Sequence, residues 1–125
     1  MNNEDTIVSI ATPMGTGAIS VIRCSGSNVA EIIQYFFKKE LTPRRAYYMD
    51  FKNKGVTLDD VITIFYEAPK SYTGEDMIEI MCHGGPVMYQ LIIDEILKLK
   101  SCRLAKAGEF SERAFLNNKM SLLEA

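Results

Sequence analysis

The segment from Ser71 to Pro86, SYTGEDMIEIMCHGGP, holds three carboxylates (Glu75, Asp76, Glu79), the thiol of Cys82, the chain's only histidine (His83) and three glycines. Residues of these types at this density can transfer protons, attack an electrophile or cradle a ligand. Met77 to Cys82 alternates as a strand does, so Met77, Glu79 and Met81 share one face and Ile78, Ile80 and Cys82 the other. Both faces are apolar, and Glu79 is therefore expected to be withdrawn from water, where a carboxylate persists only if it is paired or protonated. The flanking methionines form a polarizable wall that adapts to a flat ring. Two readings of Glu79 stand level: contact with a ligand that compensates the acid, or a structural ion pair with a nearby arginine or lysine.

Arg23 poses the same question with opposite sign. Ile19, Val21 and Arg23 share a strand face, so a guanidinium ends an apolar stripe. Its planar fork suits a carboxylate from the protein or from a ligand, and snorkelling at a strand end is the plainer alternative. His83 titrates near neutrality, yet no serine, cysteine and carboxylate arrangement is fixed around it, and Cys82 should point to the opposite face. A hydrogen-bonding histidine at a helix entry is favoured over a ligand contact, and no residue is assigned a catalytic role. Lys119 follows a helix stop, where an ammonium can meet an anion, although a lysine there is usually solvated. Gly15-Thr16-Gly17 lacks the spacing of a phosphate loop, so it reads as a turn or a loop at a subunit contact.

These residues need elements to position them. Ile7 to Ala11 and Ala18 to Cys24 are β-prone runs around a turn-rich loop. Asn28 with Glu31 fits a capping box for a helix carrying Val29, Ile32, Ile33, Phe36 and Phe37 at amphipathic spacing. Tyr47 to Phe51 and Leu58 to Tyr66 form a strand pair around Lys52-Asn53-Lys54-Gly55. Met77 to Cys82 is a strand, followed by a helix from about Val87 to Lys100, a short strand over Arg103 to Ala105 and a helix from Glu109 to Asn117. The order β-β-α-β-β-β-α-β-α mixes hairpins with crossovers and predicts an α+β fold, a mixed sheet with about three helices. Ser121-Leu122-Leu123-Glu124 is another capping-box pattern that stops one residue before Ala125, which reads as the start of a truncated helix.

The totals bound the function. A chain of 125 residues is one domain's worth, and 47% hydrophobic with 24% charged residues is ordinary for a globular protein. A formal charge of −2 gives no broad basic field, which disfavours direct nucleic-acid binding by this domain. Cys24, Cys82 and Cys102 are odd in number and widely spaced, with no C-x-x-C or Cys/His ligand cluster. Neither a zinc site nor a disulfide framework is therefore expected, no metal ligand is assigned, and buried thiols in a reducing cytoplasm are the reading. The acidic, polar start MNNEDT is no signal peptide, and no apolar run is long enough to span a bilayer.

Several blocks together resemble a known family. Asp5-Thr6-Ile7-Val8, Ala11-Thr12-Pro13, Gly15-x-Gly17 and Ile22-Arg23-x-Ser25-Gly26 are similar to the opening of the MnmE (TrmE) tRNA-modifying GTPases. Ser71-Tyr72-Thr73-Gly74-Glu75-Asp76, His83-Gly84-Gly85-Pro86 and the run from Gly108 to Asn117 match the same family in the same order. Ala107 departs from it, standing where that pattern has proline.

The resemblance implies that residues 1–118 form a folate-binding and dimerisation domain whose fold resembles the tetrahydrofolate-binding domain of aminomethyltransferases. Residues 119–125 would begin a truncated helical domain. It implies 5-formyltetrahydrofolate as ligand, with contacts falling on Arg23, Glu79 and Lys119. GTP, magnesium and potassium would belong only to a missing GTPase domain. It also implies a homodimer through this domain, and a full-length enzyme that acts with the flavoprotein MnmG (GidA) on C5 of the wobble uridine of certain tRNAs. A pterin edge offers adjacent N–H donors that Glu79 can accept in pairs, while Arg23 or Lys119 can meet the carboxylate tail. A stand-alone folate-dependent one-carbon transferase and a purely structural dimerisation module are the alternatives.

Overall fold

Alternation of apolar side chains marks strands, and a 3.6-residue period marks helices, in the order that the sequence predicts. The computed structural model describes residues 5–11, 19–83 and 85–117. In chain order the elements are β1 (Thr6–Ile10), β2 (Ile19–Ser25), α1 (Val29–Phe37), β3 (Ala46–Asn53), β4 (Val56–Tyr66), β5 (Met77–His83), α2 (Pro86–Leu97), β6 (Cys102–Leu104) and α3 (Glu109–Leu116). The expected order and the α+β class are both met. The strands form one mixed sheet in the order β3-β4-β5-β2-β1-β6; only the β1–β6 pairing is parallel.

Helices α1 and α2 pack on one face of this sheet. Val29, Ile32, Ile33, Phe36 and Phe37 of α1 and Ile92, Ile93 and Ile96 of α2 meet Val8, Ile22, Cys24, Phe51, Val61, Ile78, Ile80 and Cys82 in a single buried cluster. Phe51 lies stacked on Phe36 with ring centroids 4.4 Å apart and edge-on to Phe37 at 5.6 Å, which ties α1 to the outer strand β3. All the strand residues of this cluster have the parity that faces the helices. Their neighbours of opposite parity therefore point to the other face, where the candidate site lies.

Two local expectations are corrected. Asn28 does occupy the N-cap of α1, but its side chain caps nothing there. Its amide Nδ2 donates instead to the Lys100 carbonyl at 2.6 Å, and its backbone N–H donates to Thr6 Oγ1 at 2.7 Å. The capping box with Glu31 is replaced by a tertiary tie between α1, β1 and the turn after α2. Helix α2 ends at Leu97 rather than Lys100, because the chain must turn back within four residues to enter β6, with Ser101 at φ +63°.

Gly26 follows β2 at φ +141°, and a Cβ there would meet Thr6 Cα and Oγ1 at 2.7 Å. Only glycine allows the two chain segments to pass this closely. Lys119, the Ser121–Glu124 pattern, the Gly15–Gly17 loop and the expected domain boundary after residue 118 lie outside the described residues.

Candidate functional site

The register of β2 against β5 places Arg23 directly opposite Glu79, on the sheet face away from α1 and α2. Arg23 Nη2 and Nε both donate to Glu79 Oε2, at 2.7 and 3.0 Å. The other carboxylate oxygen, Oε1, accepts from the Tyr66 hydroxyl at 3.2 Å. Tyr66 reaches it from β4, whose Ile64 is the direct neighbour of Glu79 on that side. The guanidinium also lies over the Tyr72 ring, 5.6 Å from its centroid. Loss of water and the charge of Glu79 push the Tyr66 phenol above its ordinary pKa.

This geometry shows the ion pair that one of the two readings of Glu79 expects. The carboxylate is not stranded among thioethers: with side chains 29% and 16% exposed, Arg23 and Glu79 compensate each other, and a guest is not required to hold the acid in place. The physical reason is register. Two residues that end apolar stripes in separate strands become cross-strand partners once β2 and β5 pair. What remains open to solvent is an edge of each group beside two tyrosine rings, Met81 and Ile64. Such a surface can meet a planar ligand that carries both N–H donors and carboxylates. Grooves among the described residues also lie elsewhere. One of about 340 Å³ is lined by residues of α1, the Lys39–Leu41 turn, Pro43, Phe65 and Glu67, and shares none of them with the Arg23–Glu79–Tyr66–Tyr72 group.

The end of this face next to β6 is closed by a second charged network. Arg113, with 1% of its side chain exposed, reaches from α3 to Glu75 at 3.0 Å and to Glu109 at 3.4 Å. Arg103 on β6 holds both oxygens of Glu109, at 2.6 and 2.8 Å, and Asp5 at 3.0 Å. Ser25 bridges to Glu75 and Thr73 at 2.7 Å each. The Arg103 guanidinium, opposed by burial, holds the Glu109 carboxyl down to about 2. Glu109 is marked in the sequence only as the start of a helix. It is instead the hub that pins α3 to the sheet, and through Glu75 and Tyr72 it supports the loop that carries the tyrosine over Arg23.

His83 ends β5 with Nδ1 at 2.9 Å from Asp59 Oδ1 and its backbone N–H donating to Asp59 Oδ2, also at 2.9 Å. This is the hydrogen-bonding histidine at a helix entry that the sequence favours, and Cys82 is buried on the opposite face as expected. Hydrogen bonding to Asp59 raises the His83 pKa, helped by the charges of Asp59 and Asp60. Cys24, Cys82 and Cys102 are all free thiols, and burial raises each thiol's pKa, that of Cys82 to about 11. None is poised as a nucleophile.

Arg23 and Glu79 are thus brought together, while Lys119 lies outside the described residues. Sequence reasoning missed Tyr66, Tyr72 and Arg113. Tyr66 stands two residues beyond Ile64 on the same face of β4 and could have been found by carrying that alternation one step further. Tyr72 and Arg113 lie within blocks that match the family, but no periodicity or spacing marks either as a partner of Arg23 or Glu75.

Comparison with known proteins is consistent throughout. The profile of the family described as GTP-binding protein TrmE N-terminus matches residues 6–119. Proteins named tRNA modification GTPase MnmE are similar over nearly the whole chain. The one from Helicobacter pylori strain 26695 is 53% identical over 122 residues, 97% of this chain and 26% of that protein. Those from Thermotoga petrophila and Francisella tularensis subsp. holarctica strain LVS are 48% and 50% identical, over 97% and 100% of this chain and 27% and 28% of theirs. The chain spans about a quarter of the length of these curated relatives.

Proposed function

The chain belongs to the TrmE N-terminal family, and from that premise we propose that it serves as the folate-binding, dimerising N-terminal domain of a tRNA modification GTPase. The observation that carries this reading is the match over residues 6–119 together with about half of all positions identical to relatives named for that activity. GTP hydrolysis, with GTP, magnesium and potassium as its requirements, is assigned to a part of the longer protein that this chain does not include. Modification of the wobble uridine of tRNA at C5, together with the flavoprotein MnmG, is assigned to that longer protein in the cytoplasm.

Within this domain the ligand is 5-formyltetrahydrofolate. Glu79 accepts from the pterin amide and amino groups, Arg23 meets a carboxylate or carbonyl, and Tyr66 and Tyr72 supply flat apolar surface. Lys119 is the third residue of the set. Because Arg23 and Glu79 already satisfy each other, ligand binding must exchange one set of charge-assisted bonds for another, which favours modest affinity and high selectivity for a ligand that offers both donors and acceptors. No chemical step is assigned to the domain itself.

Calorimetry of the chain with 5-formyltetrahydrofolate tests the ligand. Saturable binding that weakens at least tenfold in Glu79→Ala supports the site, and wild-type binding unaffected by that change removes Glu79 from it. A second reading, a purely structural dimerisation module, is favoured by one observation. Ile19, Tyr48 and Ile62 stand 59%, 72% and 37% exposed on the same sheet face. Dimerisation without any folate affinity would select it.

A further inference from the structure

Consecutive residues of a strand normally diverge to opposite faces, yet Asp59 and Asp60 of β4 both turn toward the imidazole of His83. Asp59 Oδ1 lies 2.9 Å and Asp60 Oδ1 3.5 Å from His83 Nδ1. The second oxygen of each carboxylate is held elsewhere. Asp59 Oδ2 accepts the backbone N–H of His83, and Asp60 Oδ2 accepts the hydroxyl of Tyr48 from β3. Asp60 is thus oriented by an outer partner, Tyr48, and Asp59 by the backbone of His83 itself, and each presents its other oxygen to the imidazole. Bonds of about 2.0–2.2 Å to one cation at angles between octahedral and tetrahedral set neighbouring donor atoms roughly 2.8–3.6 Å apart, a range that includes both contacts to Nδ1. All three donor atoms lie within 4.8 Å of one another.

We propose that Asp59, Asp60 and His83 bind one first-row divalent cation of the zinc or manganese type, which clips β4 to the end of β5 just before α2. One imidazole nitrogen with two carboxylate oxygens is a borderline donor set that suits these ions better than calcium or magnesium. His83 is 65% exposed, which gives the ion an entry path, and Asp59 at 8% exposure gives the site a fixed floor. An apolar hollow of about 70 Å³ bounded by Ile19, Tyr48, Ile62 and Met81 adjoins Asp60 and His83. A ligating imidazole nitrogen carries no proton, so binding at Nδ1 releases to solvent whatever proton that nitrogen holds. The proposal does not depend on folate binding.

The test is calorimetric titration of the untagged chain with zinc chloride and, separately, manganese chloride. The expected result is one saturable site for at least one of the two ions. Affinity should fall at least tenfold in His83→Ala and in Asp60→Asn, and stay unchanged in Asp94→Asn, a carboxylate on exposed α2 surface. Circular dichroism confirms that each variant is folded. In the wild type, substoichiometric manganese should broaden the NMR signals of the His83 ring and the Asp59 and Asp60 amides before any others. Absence of saturable binding, binding that survives His83→Ala in full, or broadening centred elsewhere overturns the site.

Discussion

At the scale of single residues, charge pairing decides the candidate site. Arg23 and Glu79 are each under a third exposed, so the pair is worth more than a solvated surface bridge and less than a dry one. Glu79→Ala leaves Arg23 and the Tyr66 hydroxyl without their acceptor and should cost about 1–3 kcal/mol in urea unfolding. Arg23→Ala should cost a similar amount, and the double variant less than the sum, by about 0.5–3 kcal/mol. Strict additivity would mean that the pair contributes nothing to stability. Glu109 makes a prediction about pH. Its folded pKa lies below the ordinary carboxylate value of 4.5, at about 2, so its contribution is complete above 4.5 and is lost as pH falls toward 2. Acid titration of stability should show this loss in the wild type. In Glu109→Gln the chain should be less stable at neutral pH and show a shallower acid limb.

At the scale of elements, close approach and register do the work. Gly26 must pass Thr6 without a side chain and sits at a positive φ, whereas Gly55, in the β3–β4 turn at φ +81°, has open space where a Cβ would go. Gly26→Ala should therefore cost more than Gly55→Ala in thermal unfolding. The second change should lie near about 1 kcal/mol and the first well beyond it. Equal costs would show that the Thr6 contact relaxes freely. The strands themselves were legible because alternation is a local property: Met77 to Cys82 and Leu58 to Tyr66 carry it in plain view. The capping of α1 was not. Asn28 has the right type and spacing for a capping box, but a carbonyl from residue 100 competes for the same side chain, and that competitor is invisible along the chain.

At the scale of the whole molecule, the sheet has one face buried under two helices and one face left partly apolar and exposed. No helix among the described residues is long and apolar enough to cross a membrane, and the apolar face is the feature that fits association with a second copy. If the proposed dimer forms through this face, Ile62→Asp should shift the chain to monomer in sedimentation equilibrium while changing the melting temperature little. Ile62 is solvent-accessible in the single chain and leaves no cavity behind. An unchanged dimer in that variant would move the contact to another surface.

What the chain order alone determined was the identity and sequence of elements, the parity of each strand and the blocks that mark the family, since hydrophobic period and short motifs are properties of neighbouring residues. It also placed Arg23 and Glu79 at the ends of apolar stripes. That they face each other, that Tyr66 and Tyr72 join them, and that Asp59 and Asp60 both lean on His83 was decided only in three dimensions. Strand pairing sets contacts between residues 11 to 64 positions apart, and a register shift of one would send the strand-borne side chains among these to the other face.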